Sequence, residues 1–224
     1  MKWRGLVAAG ITAGIVIGWG GACKDPTVPD RSGIYSFADT VIVGPDVFVD
    51  VFNWPASRLP VRFWADPRGN MGFLVAFAVD VWQDQFLYGE FRGVLVADST
   101  RADVIVQWTD SVPPDAPPDT TPPNSCSGVT SFVFDTTGNA LAGPIHVSLR
   151  VLTGGAPASP ERVQGCMRRV AIHELGHSLG LLRHSPNPQD IMIGSPVANY
   201  PSLIDRRTVE VLYHSPPTIG PPPP

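Results

Sequence analysis

The chain has 224 residues, with 43% hydrophobic and 16% charged side chains and a net charge of −4 from 16 Lys+Arg against 20 Asp+Glu. At about 100–200 residues per domain this is one domain with appendages, apolar enough to build a packed core and too apolar for wholesale disorder. The acidic balance argues against a nucleic-acid partner, which calls for a basic face, and no self-similar period marks a repeat array.

Residues 1–22 have the layout of a secretory signal peptide: Lys2 and Arg4, an apolar run Leu6–Ile17, then small Gly20, Gly21 and Ala22 ahead of Cys23. The placement of Cys23 resembles a bacterial lipobox, in which that Cys becomes the lipidated first residue of the mature chain, although Gly20 stands where the motif has Leu. The expectation is export, with anchoring to the cell envelope through Cys23 or else secretion. An uncleaved anchor is the alternative, because the uncharged run Gly5–Ala22 is at the lower limit for spanning a bilayer. The chain has 3 cysteines. With Cys23 lipidated, Cys126 and Cys166 remain as an even pair in an oxidising compartment, where a disulfide persists; two buried thiols are the alternative.

Residues 23–58 read as a tether and an extended lead-in, and the regular pattern starts at Leu59. LPVRFWADP alternates, with Val61, Phe63 and Ala65 on one face, and predicts a strand. Asn70 is placed to cap an amphipathic helix whose apolar stripe is Leu74, Phe77, Ala78, Val81 and Trp82. FRGVLVADS and ADVIVQWTD follow as strands, so a helix covers a sheet in an α/β or α+β layer. SVPPDAPPDTTPP at 111–123 cannot join a ladder and predicts an exposed loop. TSFVFD and PIHVSLRVL read as strands joined by a turn around Gly138 and Asn139. Ser159-Pro160-Glu161 is a helix start, and that helix is expected to run to about Leu179. Residues 215–224 read as a Pro-rich tail, disordered or extended.

The chemistry is concentrated in HELGHSLGLLRH at 173–184. His173 and His177, one helical turn apart, share a face and can meet one metal ion. Glu174 follows the first of them, placed to take a proton from a water. Gly180 tolerates left-handed dihedrals and lets the chain leave the helix sharply, so that His184 can return as a third ligand. Three His ligands with an open fourth position make a catalytic rather than a structural zinc site, since structural sites are closed by four protein ligands.

These residues resemble the signature of the metzincin zinc endopeptidases, HExxHxxGxxH followed by a Met-turn. Ser185, directly after the third His, is similar to the matrixin (matrix-metalloproteinase-like) branch, and Met192 in DIMIGS stands where the Met-turn methionine would be. PSLIDRRTVEVLYHSP resembles the matrixin C-terminal helix ending in Leu-Tyr, with Ser202 as its cap. The resemblance covers about 59–214. It implies a twisted mixed sheet with a covering helix and an active-site helix, a small C-terminal subdomain with the Met-turn and terminal helix, one catalytic Zn2+, and a protein or peptide substrate lying along the edge strand, for which TSFVFD is the candidate. A structural Ca2+ is possible for the family, but no ligands for one are recognisable, and the oligomeric state is open. Gly194 and Pro196 depart from the family's residues after the Met, so side-chain preference does not transfer. A non-catalytic cell-surface binding module that keeps the fold is the alternative reading.

Overall fold

The computed structural model describes residues 28–43, 46–109, 126–151 and 159–222. The signal segment, Cys23 and the Pro-rich run at 111–123 lie outside the described residues.

Two antiparallel strands open the described chain, β1 (Asp39–Val43) and β2 (Asp46–Asp50). The main sheet follows. β3 (Val61–Ala65) carries Val61 and Phe63 fully buried on one face, as its alternation predicts. α1 (Met71–Gln83) buries Leu74, Ala78, Val81 and Trp82, while Asn70 occupies the cap position without donating or accepting a side-chain capping bond. β4 (Gly93–Leu95) and β5 (Val104–Trp108) both run parallel to β3, on opposite sides of it. β6 (Cys126–Ser131) and β7 (Ile145–Val151) complete a five-stranded sheet of order β4-β3-β5-β7-β6, in which β6 alone is antiparallel and forms one edge.

The expected strand TSFVFD is therefore shifted. Among the described residues pairing runs from Cys126 to Ser131, and beyond it Phe134 makes an isolated bridge, to Leu141. The shift has a physical reason: Asp135 folds the following segment into a tight turn, its carboxylate accepting from the Thr137 and Asn139 amides, with Gly138 at φ +72°. The turn expected around Gly138 is the one observed.

α2 (Pro160–Ser178) and α3 (Leu203–Tyr213) supply the rest. The Ser159 side chain accepts from the Arg162 amide and starts α2; Ser202 and Asp205 form a reciprocal capping box that starts α3. α2 packs against both α1 and the β6–β7 edge. Two buried indoles pin its C-terminal half. Trp82 Nε1 donates to the Ile172 carbonyl at 2.7 Å, and Trp54 Nε1 donates to the Ser178 carbonyl at 3.0 Å.

The lead-in and tail take part in this core. Tyr35, Phe52 and Trp54 are buried, ahead of Leu59, and so is Ile219 in the Pro-rich tail. The Thr218 and Ile219 amides donate to the Val51 carbonyl, and Arg58 donates to the Pro222 carbonyl. The tail thus bonds to the lead-in, and the lead-in supplies the bed on which the end of α2 rests. The α+β arrangement, a mixed sheet with a covering helix, an active-site helix and a terminal helix, matches the expected fold class.

Candidate metal centre

The helix α2 places His173 and His177 on one face, and the chain reverses at Gly180 (φ +105°), where a Cβ would collide with the Phe52 carbonyl. Only glycine serves at this reversal. His184 returns beside the other two, with ring centroids 5.2 Å from His173 and 5.1 Å from His177. Their ligand atoms all lie within 4.8 Å of one another, and among the described residues this is the one His/Cys/Asp/Glu cluster so arranged. His173 is buried, His177 half-buried and His184 exposed, so the cluster opens to solvent on the His184 side.

The hydrogen bonds assign the tautomers. His173 Nδ1 lies 2.8 Å from the Ile191 carbonyl and His177 Nδ1 lies beside the Leu181 carbonyl; a carbonyl only accepts, so each Nδ1 carries its proton. Both Nε2 atoms are then bare lone pairs, and they face each other at 3.1 Å. Two acceptors at this distance repel unless a cation lies between them. Tetrahedral zinc with nitrogens at about 2.0–2.1 Å sets two ligands about 3.3 Å apart, so the donor set and spacing fit that ion. Burial pushes the His173 imidazole down to about 4 and His177 well below its ordinary value, and lowers His184 as well. All three are neutral at pH 7 and available as ligands.

The sign of these shifts makes a prediction for the metal-free protein. In the unfolded chain these imidazoles take up protons near pH 6.5, and in the folded one only at lower pH. The unfolded state therefore binds more protons between about pH 6.5 and 4, and stability is lost as the pH falls through that window. Glu174, Asp205 and Asp50, raised rather than lowered, oppose this, and the histidine cluster is expected to outweigh them. The chelator-stripped protein is expected to melt at a lower temperature at pH 5 than at pH 7. Scanning calorimetry at the two pH values checks it.

Glu174 is 5% exposed, and burial pushes its carboxyl up to about 7 against the opposing hydrogen bond from Thr130. Met192 is fully buried, and a Cβ on Gly176 would run into its sulfur and the Trp82 ring. The methionine thus packs under α2 between the positions of His173 and His177. Ser185 is not a bystander to the turn: its amide donates to the Met192 carbonyl at 2.8 Å and its hydroxyl to Asp190. Gly194 lies against His184, where a Cβ would stand 3.2 Å from Nδ1. Cys126 and Cys166 form a disulfide that ties β6 to α2. Cys23 lies outside the described residues.

Sequence reading alone missed several contributors. Asp205 holds the Met-turn backbone, accepting from the Ile191 amide at 2.8 Å and from the Tyr35 hydroxyl at 2.9 Å. Gly128 and Thr130 of β6 flank the Glu174 carboxylate. The Ser202-x-x-Asp205 spacing could have flagged Asp205 as a helix cap, but nothing local points to its second role. The alternation of Cys126, Gly128 and Thr130 could have flagged one face of a strand.

No curated protein matches the chain. The family model for matrixins matches residues 70–213, a span that runs from the start of α1 through the three histidines, the Met-turn and α3. With that match over more than half of its length, the chain belongs to the matrixin family.

Proposed function

We propose that this chain is an exported zinc endopeptidase, held by His173, His177 and His184 around one Zn2+ and using Glu174 as its general base. The observation that carries the reading is the pair of Nε2 lone pairs facing each other at 3.1 Å, with His184 alongside and a buried carboxyl from the next residue in the chain. Bound zinc would supply Lewis acidity, making water nucleophilic near neutral pH and offsetting negative charge on the carbonyl oxygen.

The chain's own residues do the rest. Glu174 takes the proton from the attacking water and hands it to the departing amine, so one carboxyl serves both halves of the hydrolysis. The Ile191 and Leu181 carbonyls hold the His173 and His177 rings in the tautomer that leaves Nε2 free. Met192, packed beneath α2, supports that helix from below. Among the described residues β6 is an edge of the sheet, and an edge strand can pair with an extended peptide, which suits a protein or peptide substrate. The layout of residues 1–23 supports export, with Cys23 as the point of lipid attachment and the membrane as a neighbour through that anchor.

The test is zinc stoichiometry together with casein cleavage, with and without a chelator. One zinc per chain and chelator-sensitive cleavage are expected. One zinc with no cleavage of casein or of a random peptide library would leave a binding module in place of a peptidase.

A further inference from the structure

The alternate residues Cys126, Gly128 and Thr130 share one face of β6, and each of them meets α2. Cys126 is bonded to Cys166. A Cβ on Gly128 would stand 2.5 Å from Glu174 Cγ and 2.8 Å from Oε1, so the missing side chain is the space the carboxylate occupies. Thr130 Oγ1 donates to Glu174 Oε2 at 2.8 Å, with the Glu174 carbonyl also in reach at 2.9 Å. The strand is fixed in this register by its pairing with β7, Gly128 opposite Leu149 and Thr130 opposite Val147, both fully buried.

We propose that Thr130 is the positioning residue of the general base: its hydroxyl fixes Oε2 of Glu174 and leaves Oε1, which has no hydrogen-bond partner among the described residues, as the oxygen that receives the proton. This rests on the peptidase reading above. Among the described residues the Glu174 carboxylate has no other hydrogen-bond partner, so without Thr130 its terminal torsion is free to turn, and a reacting group loses rate when its approach is not held. A neutral hydroxyl also suits the task better than a cation would. Arg or Lys at this position would hold the carboxylate ionised and weaken it as a base, whereas a hydroxyl orients it with a milder pull. The bond joins the edge strand to the active-site helix, so the strand that would receive the substrate also aims the base.

The experiment compares Thr130→Val, which keeps the shape and removes the hydroxyl, with Thr130→Ser, which keeps the hydroxyl. In the zinc-loaded enzyme, Thr130→Val is expected to lower kcat about 10- to 100-fold, a part of what a general base contributes, with KM and zinc affinity by chelator competition unchanged. Thr130→Ser is expected to restore most of kcat. Thr130→Ala stands in if the valine variant does not fold. Wild-type kcat in the valine variant, a serine variant as slow as valine, or loss of zinc affinity in step with kcat overturns the assignment. Wild-type enzyme and Glu174→Gln are run alongside. An inactive wild type or an active Glu174→Gln overturns the peptidase reading and this proposal with it, whereas an active wild type, a dead Glu174→Gln and an unaffected Thr130→Val overturn this proposal alone.

Discussion

Replacing Glu174 by Gln is expected to leave zinc binding intact and to lower kcat by about 10²- to 10⁴-fold, the range a general base supplies. The two halves of that result come from different atoms. The cluster that could hold a metal ion consists of His173, His177 and His184, and Glu174 is not a member of it. Gln has nearly the same shape, fits the space beside Gly128, and still offers an oxygen to the Thr130 hydroxyl. What it lacks is basicity. Stability should move the opposite way. The folded-state carboxyl is raised to about 7 from an ordinary 4.5, so the folded protein binds the extra proton between those values and loses that advantage as the pH rises through 7. At pH 8 the wild type carries a buried carboxylate that Gln does not, and the metal-free variant should unfold at a higher denaturant concentration. Zinc stoichiometry, steady-state kinetics on a peptide and urea unfolding at pH 8 check the three parts. Unchanged proteolysis removes Glu174 from the mechanism.

The convergence of the three histidines was legible in the sequence because its geometry is local. A helix fixes where residues four apart point, and a glycine fixes where the chain can reverse, so His173, His177, Gly180 and His184 need no knowledge of the rest of the molecule. Ser159 and Ser202 were legible as caps for the same reason. The supports of the site were not. Thr130 lies 44 residues from Glu174, and Trp54 lies 124 from Ser178. Such contacts exist only once the sheet and α2 have packed, and no period or spacing encodes them. The lead-in illustrates the same limit. Around Phe52 and Trp54 there is no regular alternation, yet both side chains are buried because the end of α2 and the tail converge on them. The edge strand was displaced for a further reason. TSFVFD is a better strand by propensity than CSGVTS, but pairing with β7 and the tie of Cys126 to α2 select the earlier register. Tertiary contacts overrode local preference there, and glycine at 128 makes sense only in the light of the carboxylate that fills its place.

Asp205→Ala is expected to cost about 3–5 kcal/mol of stability and to weaken zinc binding about 10- to 100-fold, although Asp205 is no ligand. The carboxylate is fully buried at the start of α3. One oxygen accepts from the Ile191 and Ser202 amides, each at 2.8 Å; the other accepts from the Tyr35 hydroxyl at 2.9 Å and the Met192 amide at 3.4 Å. Alanine leaves these donors without an acceptor, those of Tyr35, Ile191 and Met192 in buried residues, and an unsatisfied buried donor costs about 1–3 kcal/mol. The costs do not simply add, because the backbone will relax. That relaxation is what reaches the metal. The Ile191 amide is held by Asp205, and the Ile191 carbonyl holds His173 Nδ1 at 2.8 Å. Loosening the turn therefore loosens the ring and its tautomer, and outer partners of this kind set metal affinity. Asp205→Asn should fall between wild type and alanine, since its amide oxygen still accepts but its NH2 faces donors. Urea unfolding of the metal-free protein and zinc competition with a chromogenic chelator measure the two effects separately. A variant that loses stability but keeps zinc affinity would confine Asp205 to capping α3 and break the link from that helix, through Ile191, to the first histidine.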